Sequence, residues 1–86
     1  MITVMTQRIK DTFPLFILRF HINRFMNGDY GDIPQEDKRV NQEVLRDKSG
    51  MMMGSYSIGG KRVWMTRDLE ESQDYDVLTV LFPDEY

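Results

Sequence analysis

The stretch that decides the fold is Gly28-Asp29-Tyr30-Gly31-Asp32-Ile33-Pro34-Gln35-Glu36-Asp37-Lys38, which combines the expected end of one helix with the expected start of the next. An apolar run precedes it and stops at Asn27-Gly28, where a left-handed helix C-terminus favours glycine. Asp32 has the form of an N-cap, with Pro34 in the first turn and Gln35 at the capping-box position. The stretch predicts two helices joined by a short elbow motif, consisting of Gly28, Asp29, Tyr30, Gly31 and Asp32.

The residues before the elbow predict a first helix from about Pro14 to Met26, capped by Asp11 or Thr12. Its apolar face consists of Leu15, Leu18, Ile22, Phe25 and Met26, widened by Phe16, Ile17 and Phe20. Such a helix needs cover over most of its circumference. We expect that cover to come from the core of the same chain or from a second copy in a homodimer.

The residues after the elbow predict a second helix from about Ile33 to Lys48, and then strands. The pattern becomes alternating after Gly50, and Gly59-Gly60 is typical of a hairpin turn between Met51–Ile58 and Lys61–Arg67. Val77–Phe82, which ends at Pro83, is expected to form the last strand.

The first ten residues are ambiguous, because Ile2-Thr3-Val4 favours a strand whereas Met5 to Lys10 is compatible with a helical turn. With that segment left open, the sequence predicts a single α+β domain over residues 1–86. Two helices are followed by a three-stranded antiparallel meander, in the order α-α-β-β-β.

The composition is that of an ordinary globular protein, with 41% hydrophobic and 29% charged residues. The absence of cysteine excludes disulfides and thiolate metal sites, and is typical of a cytoplasmic protein. The apolar run from Phe13 to Met26 is too short and too polar to span a bilayer. We therefore expect a cytoplasmic protein with no membrane association.

The net charge of -3 is unevenly distributed. Every acidic residue after Arg67 lies in a stretch without lysine or arginine; these residues are Asp68, Glu70, Glu71, Asp74, Asp76, Asp84 and Glu85. Such a surface repels phosphate backbones and attracts basic partners, so direct nucleic-acid binding is disfavoured. A solvated acidic loop and tail is the alternative interpretation.

The sequence contains no recognisable catalytic or metal-binding pattern. The only histidine, His21, is isolated among apolar residues, and the acids of the elbow lack the ligand spacing of a calcium loop. We predict no catalytic residues, no metal and no cofactor. Two other functions stay open: a small carboxylate hydrolase using Asp29, Asp32 and Glu36, and a DNA-associated regulator or antitoxin-like dimer using Arg19, Arg24 and Arg39.

From about Arg19 onward the chain resembles a family of small proteins from plasmids and other bacterial mobile elements, often loosely labelled as restriction-modification associated. The resemblance rests on Gly28 to Asp32, Glu36-Asp37-Lys38, Asn41, Ser55-Tyr56, Val63 to Thr66 and Thr79 to Tyr86. The chain departs from the family at Tyr30, where a tryptophan is usual, and in a longer loop from Leu69 to Tyr75.

The resemblance implies a genomic setting in which small acidic proteins bind host machinery. It points to a non-catalytic accessory protein that acts by stoichiometric binding to a host or element-encoded protein, such as a nuclease or defence complex, as an anti-restriction or anti-CRISPR factor. Aromatic side chains beside charges are common binding anchors. The expected partner-binding residues are Glu70, Glu71, Asp74, Tyr75, Asp76, Trp64 and Tyr56. Packing of Tyr56 and Trp64 between sheet and helices is the alternative for those two.

Overall fold

The computed structural model describes residues 1–70 and 75–86. The elements of these residues are, in chain order, β1 (Ile2–Met5), α1 (Gln7–Thr12), α2 (Leu15–Met26), α3 (Gln35–Asp47), β2 (Gly50–Ile58), β3 (Lys61–Leu69) and β4 (Val77–Leu81). A 3-10 turn at Pro83–Glu85 follows β4. None of these helices is long and apolar enough to cross a bilayer.

The strands form one mixed sheet in the order β1-β4-β3-β2. β2, β3 and β4 pair antiparallel, whereas β1 pairs parallel with β4, so that Ile2 lies opposite Val77. The predicted α+β class is confirmed, but the α-α-β-β-β order with a three-stranded antiparallel meander is wrong. The β-branched start of the chain does form a strand. Its partner lies at the far end of the sequence, where no local pattern specifies the pairing.

The predicted hairpin is confirmed, with each strand slightly longer than expected. Ile58 pairs with Lys61 around the two glycines, and both glycines have positive φ, 57° at Gly59 and 78° at Gly60. Two positive values in a two-residue loop define a primed turn, which matches the twist of the flanking strands.

The predicted start of the first helix needs correction, because Asp11 and Thr12 lie inside the separate short helix α1. The side chain of Thr6 caps α1 and accepts a hydrogen bond from the backbone N–H of Ile9 at 3.3 Å. Pro14 then occupies the N-cap position of α2 without a side-chain cap. The chain bends between the two helices because Phe13 and Pro14 are both extended.

The core lies between the helices and one face of the sheet. Its largest fully buried residues include Ile9, Leu18, Phe25, Met52, Tyr56, Met65 and Leu78. The face of α2 that enters the core is rotated from the predicted one, because Leu15 and Met26 are exposed while Leu18 and Phe25 are buried. Phe16 and Phe20 are 70% and 62% exposed, so in the described chain α2 is not covered over most of its circumference.

Candidate functional site

The elbow begins with the predicted glycine cap of α2. Gly28 has a φ of 88°, and its N–H donates to the carbonyl of Phe25 at 3.2 Å. The N–H of Asp29 donates to the carbonyl of Arg24 at 2.8 Å. These two bonds are the Schellman pattern that ends a helix at a left-handed residue, so the predicted C-terminal cap is confirmed.

The elbow then docks on the outer edge of β2. The N–H of Ser55 donates to the carbonyl of Tyr30 at 3.0 Å, and the N–H of Asp32 donates to the carbonyl of Ser55 at 2.7 Å. Gly31 makes this approach possible: its φ is 72°, and a Cβ at this position would lie 2.1 Å from the carbonyl oxygen of Ser55. A side chain there would force the elbow away from the strand.

Asp32 does not cap the second helix, which corrects the prediction. α3 begins at Gln35, with Pro34 at its N-cap position and no side-chain cap. The backbone of Asp32 is held against β2, and its carboxylate accepts a hydrogen bond from the guanidinium of Arg62 at 2.9 Å. The backbone N–H and the carboxylate of Asp32 are both bonded to the sheet, so Asp32 does not cap α3. The helix therefore begins after Pro34.

Asn41 covers a second position on the β2 edge, at Met53. Its side-chain amide donates to the carbonyl of Met53 at 2.8 Å, and its side-chain oxygen accepts from the N–H of Met53 at 3.0 Å. The residue is 2% exposed, although it lies on a helix whose other side chains are mostly polar and exposed. Asn41 therefore reproduces the two hydrogen bonds of a neighbouring strand.

A polar cluster lies where α2 meets the elbow. The guanidinium of Arg24 donates to the carboxylate of Asp29 at 2.7 and 3.3 Å and to Nδ1 of His21 at 3.1 Å, and it lies 4.9 Å from the ring centroid of Tyr56. The hydroxyl of Tyr56 donates to the backbone carbonyl of Asp29 at 2.7 Å. The cluster fastens the elbow to both α2 and β2.

The titration of this cluster follows from its contacts. Burial lowers the pKa of His21, and the positive charge of Arg24 lowers it further against the opposing effect of Asp29. Hydrogen bonds from Arg24 and from the N–H of Gly31 lower the pKa of Asp29. Burial raises the pKa of Tyr56 above its usual range. The lowered pKa favours the neutral form of His21, and Nδ1 is the acceptor because a guanidinium can only donate.

The residues proposed for a hydrolase do not converge. Asp29 pairs with Arg24, Asp32 with Arg62, and Glu36 with Arg39, so each carboxylate has a different arginine as partner. Two arginines proposed for DNA binding, Arg24 and Arg39, belong to the same ion pairs. In residues 1–70 and 75–86, no three histidine or carboxylate side chains lie close enough together to hold a metal ion.

The other face of the sheet carries an apolar surface, which we call the open sheet face. Its apolar side chains follow from the strand register and are Ile2, Val4, Met51, Met53, Trp64, Val77 and Leu81, of which Leu81 is only 7% exposed. The same register places polar and charged side chains among them, including Ser55, Arg62, Thr66, Asp68 and Thr79. On β3, Trp64 lies on this face, whereas Val63 and Met65 are fully buried on the helix side. Tyr86 packs edge-on against Trp64 with 5.7 Å between ring centroids, and its hydroxyl donates to Sδ of Met51 at 3.7 Å.

The predicted partner-binding residues are divided between several places. Trp64 lies half-buried on the open sheet face, and Glu70 and Tyr75 are exposed. Tyr56 is 1% exposed and packs in the core, which corrects the expectation of an exposed aromatic there. Asp76 forms a largely buried ion pair with Arg67. Glu71 and Asp74 lie outside the described residues.

Burial disfavours the charged form of Asp76, but the hydrogen bond and charge of Arg67 together hold the pKa of Asp76 below its usual range. The carboxylate of Asp76 is therefore engaged by Arg67 of β3.

Asp68 is the described acidic residue that the strand register places on the open sheet face, between Met51 and Val77.

A cleft of about 530 Å³ lies between α1 and the hairpin turn. Three basic side chains line it, but Arg8 pairs with Asp84, and Arg62 pairs with Asp32, at 2.9 Å in each case. Lys61 is the third. Because acids already neutralise two of its cations, the cleft has no concentrated positive charge.

Sequence reasoning missed two contributors. The signal for Asn41 is a lone asparagine beside the apolar positions Val40 and Val44 of α3. The signal for Met51 is the alternating pattern after Gly50, since the hairpin register places it on the same face as Trp64. Comparisons of the chain with protein-family models, with curated proteins and with solved structures gave no match.

Proposed function

We propose that the chain is a non-catalytic protein-binding factor of a mobile genetic element, which acts in the cytoplasm by stoichiometric binding to a host defence nuclease. The observation that carries the proposal is the open sheet face. It presents Trp64 and Tyr86 in mutual contact, beside exposed Met51 and with Asp68 at its margin.

Three properties support this surface as the binding site. Exposed apolar patches of this kind mark interaction sites on small proteins. Tryptophan and tyrosine are the residues on which binding energy is most often concentrated. Asp68 on this face and the exposed Glu70 just after the end of β3 add negative charge, and such charge speeds the approach of a basic partner surface.

A titration tests the proposal directly. The chain is added to purified restriction endonucleases and CRISPR effector nucleases, and cleavage of a DNA substrate is measured against the molar ratio. We expect cleavage by the target nuclease to end near equimolar ratio, because a stoichiometric inhibitor occupies one enzyme per copy, whereas an enzyme would act far below that ratio. Full cleavage by every nuclease at large excess contradicts the proposal.

Two variants locate the surface. Trp64→Ala is expected to weaken inhibition by about thirtyfold or more, the effect of removing an interface hot spot. Phe20→Ala removes an equally aromatic, exposed side chain from α2, away from the open sheet face, and is expected to leave inhibition unchanged. Glu70→Lys is expected to slow association and to reduce its dependence on salt. Equal loss in Trp64→Ala and Phe20→Ala would exclude the open sheet face as the site.

A further inference from the structure

The outer edge of β1, on the side that faces away from β4, is a second candidate binding surface. The N–H of Ile2 donates to the carbonyl of Asp76 at 2.8 Å, and the N–H of Thr6 donates to that of Val80 at 3.2 Å. Alternate residues of a strand direct their backbone groups to opposite sides, so those of Thr3 and Met5 face away from β4. In the described part of the chain, the backbone N–H and C=O of Thr3 and of Met5 have no hydrogen-bond partner, which makes four free groups.

β1 is short, with four residues, but it lacks the other features by which edge strands avoid pairing. Such edges usually carry charged side chains, a proline or a bulge, or are covered by other elements. The sequence from Ile2 to Thr6 contains no charge and no proline, and the register with β4 is regular. The side chains of Ile2 and Val4 are 47% and 44% exposed. Apart from its short length, nothing in this strand opposes the addition of another one.

We propose that a second copy of this chain occupies the edge, with the two β1 strands antiparallel about a two-fold axis at Val4. Thr3 then pairs with the partner's Met5, and Met5 with the partner's Thr3. All four free groups of each strand form hydrogen bonds in this register. The two sheets join into one of eight strands, and the two open sheet faces become continuous.

The charge and shape of the surroundings favour a second copy as the occupant. A copy brings an uncharged strand of matching length against an uncharged strand, so no like charges meet across the ladder. The axis places Val4 against the partner's Val4 as a non-hydrogen-bonded pair, the closest spacing in an antiparallel ladder. β-branched side chains pack well in such cross-strand pairs.

Strand pairing alone buries less than the roughly 800 Å² per partner of a standard interface. The helix side of the same edge supplies further apolar surface. A hollow of about 340 Å³ lies beside β1 and is lined by Met5, Lys10, Phe13, Leu15 and Leu18. Leu15, half-exposed at this hollow, extends the surface that pairing would bury.

Sedimentation velocity on the isolated chain tests the pairing without any other protein. We expect a concentration-dependent dimer. Val4→Lys and Val4→Glu are each expected to weaken dimerisation by about tenfold or more, because the axis places like charges side by side. An equimolar mixture of the two variants is expected to dimerise again, since opposite charges then meet. Val40→Lys, a change at a similarly exposed valine of α3, is the matched control and is expected to remain dimeric.

Oxidative cross-linking provides the second measurement. The chain has no cysteine, so Val4→Cys introduces one thiol. Non-hydrogen-bonded antiparallel partners have Cα atoms about 4.5 Å apart, within the range that a disulfide spans. We expect Val4→Cys to form a covalent dimer and Val40→Cys to remain reduced under the same conditions.

Three results would overturn the inference. The first is a chain that stays monomeric at all concentrations, and the second is a dimer that Val4→Lys leaves intact. The third is a dimer lost with Phe16→Lys but kept with Val4→Lys, because that pattern assigns the interface to the exposed face of α2. None of these results bears on nuclease binding, so the failure of one proposal is distinguishable from failure of the other.

Discussion

The two edge strands of the sheet differ in whether their outward-facing backbone groups form hydrogen bonds. At β2, the outward backbone groups of Met53 are bonded by the side chain of Asn41, and those of Ser55 are bonded by the elbow. At β1, those of Thr3 and Met5 have no partner within the described residues. Closing the β2 edge requires a buried amide and a glycine with positive φ. The chain supplies hydrogen-bond partners to backbone groups on the outer side of β2. At β1 the described residues supply none, and the strand carries no charged side chain. We therefore assign the interface between copies to β1.

The largest expected effect comes from Gly31→Ala. The added Cβ meets the carbonyl of Ser55 at 2.1 Å and the backbone keeps a φ of 72°, so clash and strain together are expected to cost about 3 kcal/mol of unfolding free energy. Urea denaturation measures the loss. Gly28→Ala is the control: its φ is 88°, but no atom lies within 4 Å of the added Cβ. Strain alone is expected to cost about 1 kcal/mol there. Equal losses would mean that the close approach at β2 contributes nothing.

Asn41→Ala opens the β2 edge without straining the backbone. It leaves the N–H and the carbonyl of Met53 unbonded, and the expected loss of unfolding free energy is about 2 kcal/mol. The variant is also expected to aggregate at high concentration, because β2 then presents a second open edge. Asn23→Ala, on the exposed side of α2, is the control and is expected to change stability by less than about 0.5 kcal/mol. Wild-type stability in Asn41→Ala would show that solvent replaces the amide at no cost.

Much of this architecture was predictable because it is local. The glycine cap of α2 and the hairpin at Gly59-Gly60 follow from a few adjacent residues, and both are confirmed. The failures are long-range. Pairing of β1 with β4 joins residues more than seventy positions apart. Asp32 has the local signature of a helix cap, but its side chain contacts Arg62, thirty residues away.

The same distinction applies to the candidate site. Alternation along β3 separates Trp64 from Val63 and Met65, but it does not fix which of the two sides faces the helices. The burial of Tyr56 likewise depends on the elbow packing over it. Exposure of Phe16 and Phe20 on α2 was missed because apolar side chains at helical spacing indicate a buried face. Periodicity shows that a helix has an apolar face, but only tertiary packing fixes how far that face enters the core.

Asp76→Asn tests how much the ion pair next to β1 contributes to the free energy of unfolding. The ion pair between Asp76 and Arg67 is largely buried, and the carbonyl of Asp76 also accepts from the N–H of Ile2. Removal of the carboxylate charge leaves Arg67 with a weaker partner, and we expect a loss of about 1–2 kcal/mol of unfolding free energy. Asp84→Asn breaks the exposed pair with Arg8 and is expected to cost less than about 0.5 kcal/mol.

Because the pKa of Asp76 is lowered in the folded state, its contribution is present above the usual aspartate pKa and is lost as pH falls through the folded value. The difference between Asp76→Asn and the wild type is therefore expected to shrink in acid. If the difference in unfolding free energy is the same at acid and neutral pH, the pair contributes through the packing of its side chains and not through charge.

The smallest effect concerns pH and separates the two edges directly. His21 accepts a hydrogen bond from Arg24 at its Nδ1, and its pKa is lowered from 6.5 in the folded state by burial and by that positive charge. Its contribution to stability is therefore full above pH 6.5 and is lost as pH falls through the lower folded value. Protonation breaks the bond to Arg24 and loosens the elbow. Mild acid, below pH 6.5 but above the range in which aspartates titrate, is therefore expected to weaken only the β2 edge.

Hydrogen exchange, corrected for the intrinsic effect of pH, measures this at single amides. The N–H of Ser55, bonded to the carbonyl of Tyr30, is expected to lose protection in mild acid, whereas the N–H of Thr6, bonded to Val80, is expected to keep it. His21→Gln retains an acceptor that does not titrate and is expected to abolish the difference. Equal loss at both amides would mean that acid loosens the whole sheet, and that the two edges are not independent.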